Sequence, residues 1–193
     1  MEITTETLKM LRDKTGVSVM QCKKALEEAN GDVDQAEVIL RKRSGAAADK
    51  KADRELGAGA VATYVHGGEI DAMVLLSCET DFVARNEEFP QLAREIAMQV
   101  AASNPTYLSE TEISEEARTA AHAVFTEEVK DKPAEMQEKI LEGKMKSYFK
   151  DQVLLEQAYI KDESKTIRDL ITEASQKFGE RVEVTRFARF SAR

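Results

Sequence analysis

The sequence predicts an α+β protein: an N-terminal three-helix bundle, then a small three-stranded antiparallel sheet covered by helices. Three observations carry this. Between residues 4 and 43, apolar side chains recur at helical spacing between cap signals. Residues 60–78 hold an alternating run and a nearly all-apolar one on either side of Gly67-Gly68. A third β-branched and aromatic run, Arg181 to Phe190, comes only after a long helical stretch, so the sheet must be closed by a distant strand.

Each element has a local reason. Leu8 and Leu11 give the first helix an apolar side, and Gly16 stops it. Ser18 with Gln21 caps the second, which carries Val19, Cys22, Ala25, Leu26 and Ala29 and ends at Asn30-Gly31. Asp32 with Gln35 opens the third, with Val33, Ala36, Ile39 and Leu40 inward. The expected domains are a bundle over 1–43, a linker over 44–56 (extended or helical, being Ala-rich and charged), and a core domain over 57–193 with a helical insertion at about 114–159. In the core, Ala60 to His66 and Ile70 to Cys78 are strands joined by the Gly-Gly hairpin. A helix capped at Asn86 carries Phe89, Leu92, Ile96 and Val100 on one stripe, with Pro90 in its first turn, and ends at Asn104-Pro105. Ser114–Lys130 and Ala134 to about Tyr159 read as two long helices. Thr166 with Asp169 opens a last one that ends at Gly179. No second copy of the hairpin–loop–helix unit is visible.

Charge and composition exclude several functions. The 193 residues carry 36 acidic against 28 basic side chains, net −8, which disfavours nonspecific binding to nucleic acid or an anionic membrane. Residues 1–54 are almost neutral, with 11 basic and 10 acidic side chains, so the excess acid lies further on. Two cysteines, Cys22 and Cys78, make no disulfide framework; both fall in apolar segments, and buried thiols in a reducing cytoplasm are expected. The opening Met1-Glu2-Ile3-Thr4-Thr5 does not resemble a secretory signal, and no apolar run reaches the length of a membrane span.

No catalytic or metal site assembles. His66 sits at a hairpin turn and His122 in a polar helix, without ligand company at suitable spacing. No nucleophile elbow or phosphate-binding glycine loop is present, and Gly143-Lys144 lacks the upstream glycine of a P-loop. Lys144-Met145-Lys146-Ser147 reads as a solvated helix face, and Arg41-Lys42-Arg43 as the basic end of a helix. No cofactor is expected.

The most informative stretch joins the second strand to the following helix: Cys78-Glu79-Thr80-Asp81-Phe82-Val83-Ala84-Arg85-Asn86. It places a large apolar ring beside a carboxylate where the chain should reach the surface. Two readings stay open from these residues alone. Phe82 projects into another molecule, or it folds back over the strand–helix corner while Asp81 helps to cap the helix.

Leu11-Arg12-Asp13-Lys14-Thr15-Gly16-Val17-Ser18-Val19-Met20-Gln21-Cys22-Lys23-Lys24-Ala25-Leu26, followed at this spacing by the Cys78–Asn86 stretch, closely resembles the paired signature segments of elongation factor Ts. Ile140–Lys146 and Leu154-Leu155-Glu156-Gln157 are similar to that family's middle region. The resemblance implies a guanine-nucleotide exchange factor, not an enzyme, acting in protein biosynthesis in the cytoplasm on the GTPase elongation factor Tu. It implies a bundle similar to a ubiquitin-associated domain, docked on the nucleotide-binding domain of the partner through or beside Arg12, Thr15, Gly16, Val17, Met20, Lys23 and Leu26. It implies that Thr80, Asp81, Phe82 and Val83 insert between two helices of that domain and dislocate its Mg²⁺. Longer members of the family carry two copies of the core unit, so a single copy implies a homodimer. Two other classes compete: an adaptor whose bundle binds ubiquitin-like or nascent-chain ligands, and a small enzyme, which would need a polar cleft that the residues do not supply.

Overall fold

The structure, a computed structural model, describes residues 3–192; Met1-Glu2, within the stretch read above for a targeting signal, and Arg193 lie outside the described residues. In chain order the elements are helices α1 (Thr5–Thr15), α2 (Val19–Glu28) and α3 (Val33–Asp49), strands β1 (Ala58–His66) and β2 (Ile70–Cys78), helices α4 (Asp81–Ala84), α5 (Glu88–Ser103), α6 (Glu115–Val129) and α7 (Ala134–Gln152), strands β3 (Ala158–Tyr159) and β4 (Asp162–Thr166), helix α8 (Ile167–Phe178) and strand β5 (Val182–Ser191). The fold is α+β, as the sequence predicts. Two compact units form. One contains the described residues up to Ala62 with Leu75–Ala93 and Asp169–Thr185; the other contains Thr63–Val74, Arg94–Arg168 and the described residues from Arg186.

The bundle lies in the first unit. The Thr4 hydroxyl accepts the Thr7 N–H at 3.2 Å while the Thr4 N–H donates to the Thr7 hydroxyl at 3.1 Å, a reciprocal cap that fixes the start of α1. Gly16 ends it in the left-handed region (φ 65°), its N–H donating to Arg12 O at 2.7 Å. Ser18 and Asp32 cap α2 and α3 by accepting from the N–H groups of Gln21 and Gln35. Leu11, Val17, Cys22, Ala25, Leu26, Ala29, Ala36 and Leu40 form the core, edged by Leu8, Val33 and Ile39. Its many alanines let the helices approach closely but leave little apolar volume, so each large residue matters. Helix α3 does not end at Arg43. It continues through Ser44-Gly45-Ala46-Ala47-Ala48 to Asp49, because three alanines offset the cost of one glycine. Arg41 and Arg43 therefore lie mid-helix, Arg41 within 4.0 Å of Glu37 and Glu173, and Arg43 paired with Glu28.

Strand β2 is central in a sheet of order β1-β2-β5, all antiparallel. The hairpin turn has both Gly67 and Gly68 at positive φ (60° and 74°), as a two-residue turn of matching twist requires. At Gly59 a Cβ would stand 2.5 Å from the Leu76 carbonyl oxygen, so the close approach of β1 to β2 needs glycine there. Ala72, Val74, Leu76 and Cys78 of β2 are buried, as are Phe89, Ala93, Ile96, Ala97 and Val100 of α5.

In the second unit, α6 and α7 pack through Ile113, Ala121, Phe149 and Val153, with Phe125 and Tyr148 meeting edge to face. The sequence reading carried α7 to about Tyr159, but it ends at Gln152. The Gln152 carbonyl accepts from both Thr106 N and Tyr107 N (2.9 and 3.0 Å), and Leu154 N donates to Tyr107 O at 2.9 Å. This capture pulls Val153 into an extended conformation. Beyond it, the buried Gln99 amide holds a small hairpin of β3 and β4 that the sequence did not reveal, donating to Gln157 Oε1 and Ala158 O and accepting from Ile160 N.

Candidate functional site

The site grows from the end of β2. After buried Cys78, the chain turns at Glu79 and Thr80, and α4 begins at Asp81. Thr80 is extended (φ −126°, ψ 155°), and its hydroxyl accepts from Val83 N at 3.4 Å, the usual N-cap arrangement. The four-residue helix turns Val83 inward, 3% exposed, and Phe82 outward, 84% exposed. Of the two readings left open by the sequence, folding back over the corner is not what is seen: the ring faces solvent. The acidic neighbour also faces water: Asp81 pairs with Arg85 at 3.2 Å, four residues on, with both side chains largely exposed. Such a pair is worth little and yields readily to a better partner. Asn86 does cap the next helix, its Oδ1 accepting from Glu88 N at 3.0 Å.

Two carboxylates distant in sequence fix this corner. Glu180 accepts from Glu79 N (3.1 Å) and Thr80 N (3.0 Å) through one oxygen and from the Thr80 hydroxyl (2.5 Å) through the other. Glu79 accepts in return from Arg181 N (2.5 Å) and from the Arg54 guanidinium (3.1 Å). The Arg181 backbone N–H, the strongest influence, holds the Glu79 carboxyl below the usual carboxylate range with help from Arg54, against the opposing effect of burial. Burial pushes the Cys78 thiol up; its sulfur donates to Thr80 O at 3.2 Å, so it acts here as a structural, poorly nucleophilic group.

The seven bundle residues singled out above divide into three groups. Arg12, Met20 and Lys23 are exposed, Lys23 beside Glu27 on the same helix. Thr15 is half-buried and donates to Leu11 O at 2.7 Å; Gly16 lies under the Lys177 side chain, where a Cβ would come within 2.7 Å of Cε. Val17 and Leu26 belong to the bundle's own core. Sequence reasoning passed over Met10, an exposed apolar side chain like Met20, and grouped Val19 with the apolar residues of α2, whereas it too is exposed. For Met10 the signal was present, as an apolar residue outside the pair Leu8 and Leu11 that faces inward. It also passed over Glu180, whose role depends on a contact across 100 positions.

Neither histidine has metal-binding company. His66 Nδ1 lies 3.2 Å from the Tyr64 hydroxyl, and His122 pairs with Thr126. Among the described residues no group of three or more His, Cys, Asp or Glu side chains could hold a metal ion, and no helix is long and apolar enough to cross a membrane. Lys144 lies mid-helix and is satisfied by Glu128 at 2.6 Å.

The corner thus presents a protruding aromatic ring beside a lightly held carboxylate, braced from below by buried and ionic contacts. Residues 48–193 match the family model described as elongation factor TS. The chain is 49% identical over 191 residues to elongation factor Ts of Thermodesulfovibrio yellowstonii, covering 98% of this chain and 96% of that protein. It is 46% identical over 192 residues to elongation factor Ts of Thermosipho melanesiensis (98% of both chains), and 42% identical over 194 residues to that of Coprothermobacter proteolyticus (99% and 98%). The chain therefore belongs to the elongation factor Ts family, and it is a translation elongation factor that acts as a guanine-nucleotide exchange factor.

Proposed function

We propose that this chain speeds GDP release from elongation factor Tu by driving Phe82 between two helices of the nucleotide-binding domain and displacing Mg²⁺. The family implies that partner. The observation that carries the mechanism is the 84% exposure of Phe82 on a corner whose other apolar residue, Val83, is buried. Nothing is bonded or broken in this reaction. The factor stabilises a nucleotide-poor state of its partner, and by linkage whatever favours its binding weakens GDP binding equally. Loss of Mg²⁺ removes the main counter-charge of the phosphates. Asp81, freed from Arg85, engages backbone displaced by the ring. Arg12, Met20 and Lys23 dock the bundle, with Met10 and Val19 enlarging the apolar part, while Val17 and Leu26 keep the face in shape from beneath.

The chain works as a homodimer in the cytoplasm. Support for the dimer comes from Val65, Met73 and Phe190, three apolar sheet residues left exposed on strands of the second unit. The test of function is the release of fluorescent GDP from elongation factor Tu with and without the protein. Acceleration that saturates with protein concentration is expected; a rate equal to spontaneous release at saturating protein refutes the proposal.

A further inference from the structure

We infer that Glu180 is a positioning residue for exchange: it holds the Thr80–Val83 corner in the conformation that aims Phe82 outward. The inference rests on the insertion mechanism proposed above. A four-residue helix has no stability of its own, because forming the first turn fixes several dihedral angles for a single hydrogen bond. Something outside α4 must supply its order. Val83 supplies part by burial. The rest comes from the turn after α8, where Gly179 adopts a left-handed conformation (φ 75°) and the next residue is Glu180. Its half-buried carboxylate takes three bonds, from Glu79 N, Thr80 N and Thr80 Oγ1. The Thr80 hydroxyl thus donates to Glu180 while accepting from Val83 N. One oxygen atom joins the brace to the helix cap, so the orientation of α4, and with it of Phe82, is set from residue 180. Glu79 crosses the brace in the opposite sense by accepting from Arg181 N. The corner and the α8–β5 turn are therefore tied twice, by two carboxylates each bonded to the other segment's backbone. Charge-assisted bonds of this kind are about twice as strong as neutral ones.

The carboxylate of Glu180 is engaged by the backbone and cap of the corner, so its effect should fall on how often the corner is competent rather than on docking. Removing the carboxylate in Glu180→Ala should slow the maximal rate of GDP release about tenfold, the consequence of a competent fraction near one tenth. The protein concentration at half-maximal rate should move less than about twofold. Glu180→Gln, whose amide oxygen still accepts N–H bonds, should recover part of the loss and guards against an alanine variant that folds poorly. The deciding measurement is a double-mutant cycle with Phe82→Ala, read as maximal release rates of the full-length proteins from elongation factor Tu carrying fluorescent GDP. Because Glu180 acts through the ring, Glu180→Ala should cause little further loss once the ring is gone. A general weakening of the fold would instead add in full on top of Phe82→Ala, and that result overturns the inference. So does a wild-type maximal rate for folded Glu180→Ala, or for Glu180→Gln if the alanine variant does not fold and the glutamine one shows no intermediate loss. If Phe82→Ala itself releases GDP like wild type, the insertion mechanism fails and this inference fails with it. A slow Phe82→Ala beside a normal Glu180→Ala sinks only the role of Glu180.

Discussion

Phe82→Ala isolates the ring from everything that supports it. In the free protein the side chain is 84% exposed, so its removal should change folding stability by no more than about 0.5 kcal/mol. On insertion, the ring loses its water, and burying a phenylalanine is worth about 1.5–3 kcal/mol. At about 1.4 kcal/mol per factor of ten, the variant should release GDP from elongation factor Tu roughly 10- to 100-fold more slowly than wild type at saturation. The same figures limit the ring's share. A ten-thousandfold population shift needs about 5.5 kcal/mol of differential binding, more than one phenyl group provides. The bundle and the remaining contact surface must supply the difference, so binding of the variant should stay measurable by titration calorimetry. The rate assay is stopped-flow release of fluorescent GDP, with a second arm in excess chelator. If the ring works by dislodging Mg²⁺, removing the ion beforehand should bring wild type and variant close together. Equal release rates with Mg²⁺ present refute the insertion mechanism; a tenfold gap that survives chelation refutes the cation route while leaving insertion intact.

Met20→Asp, at an exposed position of the bundle, should raise the half-saturating concentration in the exchange assay about tenfold and leave the maximal rate and the thermal midpoint nearly unchanged. Phe190→Glu should turn a dimer into a monomer in sedimentation: two copies of the ring leave the interface, and even about 1.5 kcal/mol each weakens association over 100-fold. A wild-type protein that sediments as a monomer at micromolar concentration ends the dimer proposal. The folded-state pKa of Glu79 lies below its unfolded value, so its contribution is fully present above about pH 4.3 and is lost as pH falls through the lower folded value. The Arg181 amide proton should accordingly shift in NMR spectra only below the ordinary glutamate range, and Glu79→Gln should abolish that step; a midpoint at or above the ordinary value contradicts the brace.

Legibility in the sequence followed the range of the forces. The β2 boundaries and the Gly67-Gly68 turn were readable because an unbroken apolar run and φ freedom act over a few residues. So were the caps at Ser18 and Asp32. The end of α7 was not, since no glycine or proline marks it; Thr106 and Tyr107 stop it by taking the Gln152 carbonyl. The β3–β4 hairpin depends on the amide of Gln99, some sixty positions earlier. In α3 the two alternatives left for residues 44–56 are separated by local propensity: Ala46-Ala47-Ala48 carries the helix on to Asp49, making the first part of that stretch helical.

The exposed corner shows both ranges at once. From Thr80-Asp81-Phe82-Val83 alone, an outward ring and an inward one both fitted the local pattern, because four residues cannot decide their own conformation. Burial of Val83 requires the chain to turn, and an α-turn with Val83 inside sends its neighbour Phe82 to the other side. The turn in turn needs its cap and the backbone leading into it held, and Glu180 does that from just beyond the end of α8. A short signature can therefore identify the loop without encoding its shape. The shape depends on a carboxylate outside the signature, and a chain that kept Thr80–Val83 but lost residue 180 should present the same four side chains with the ring less often in place.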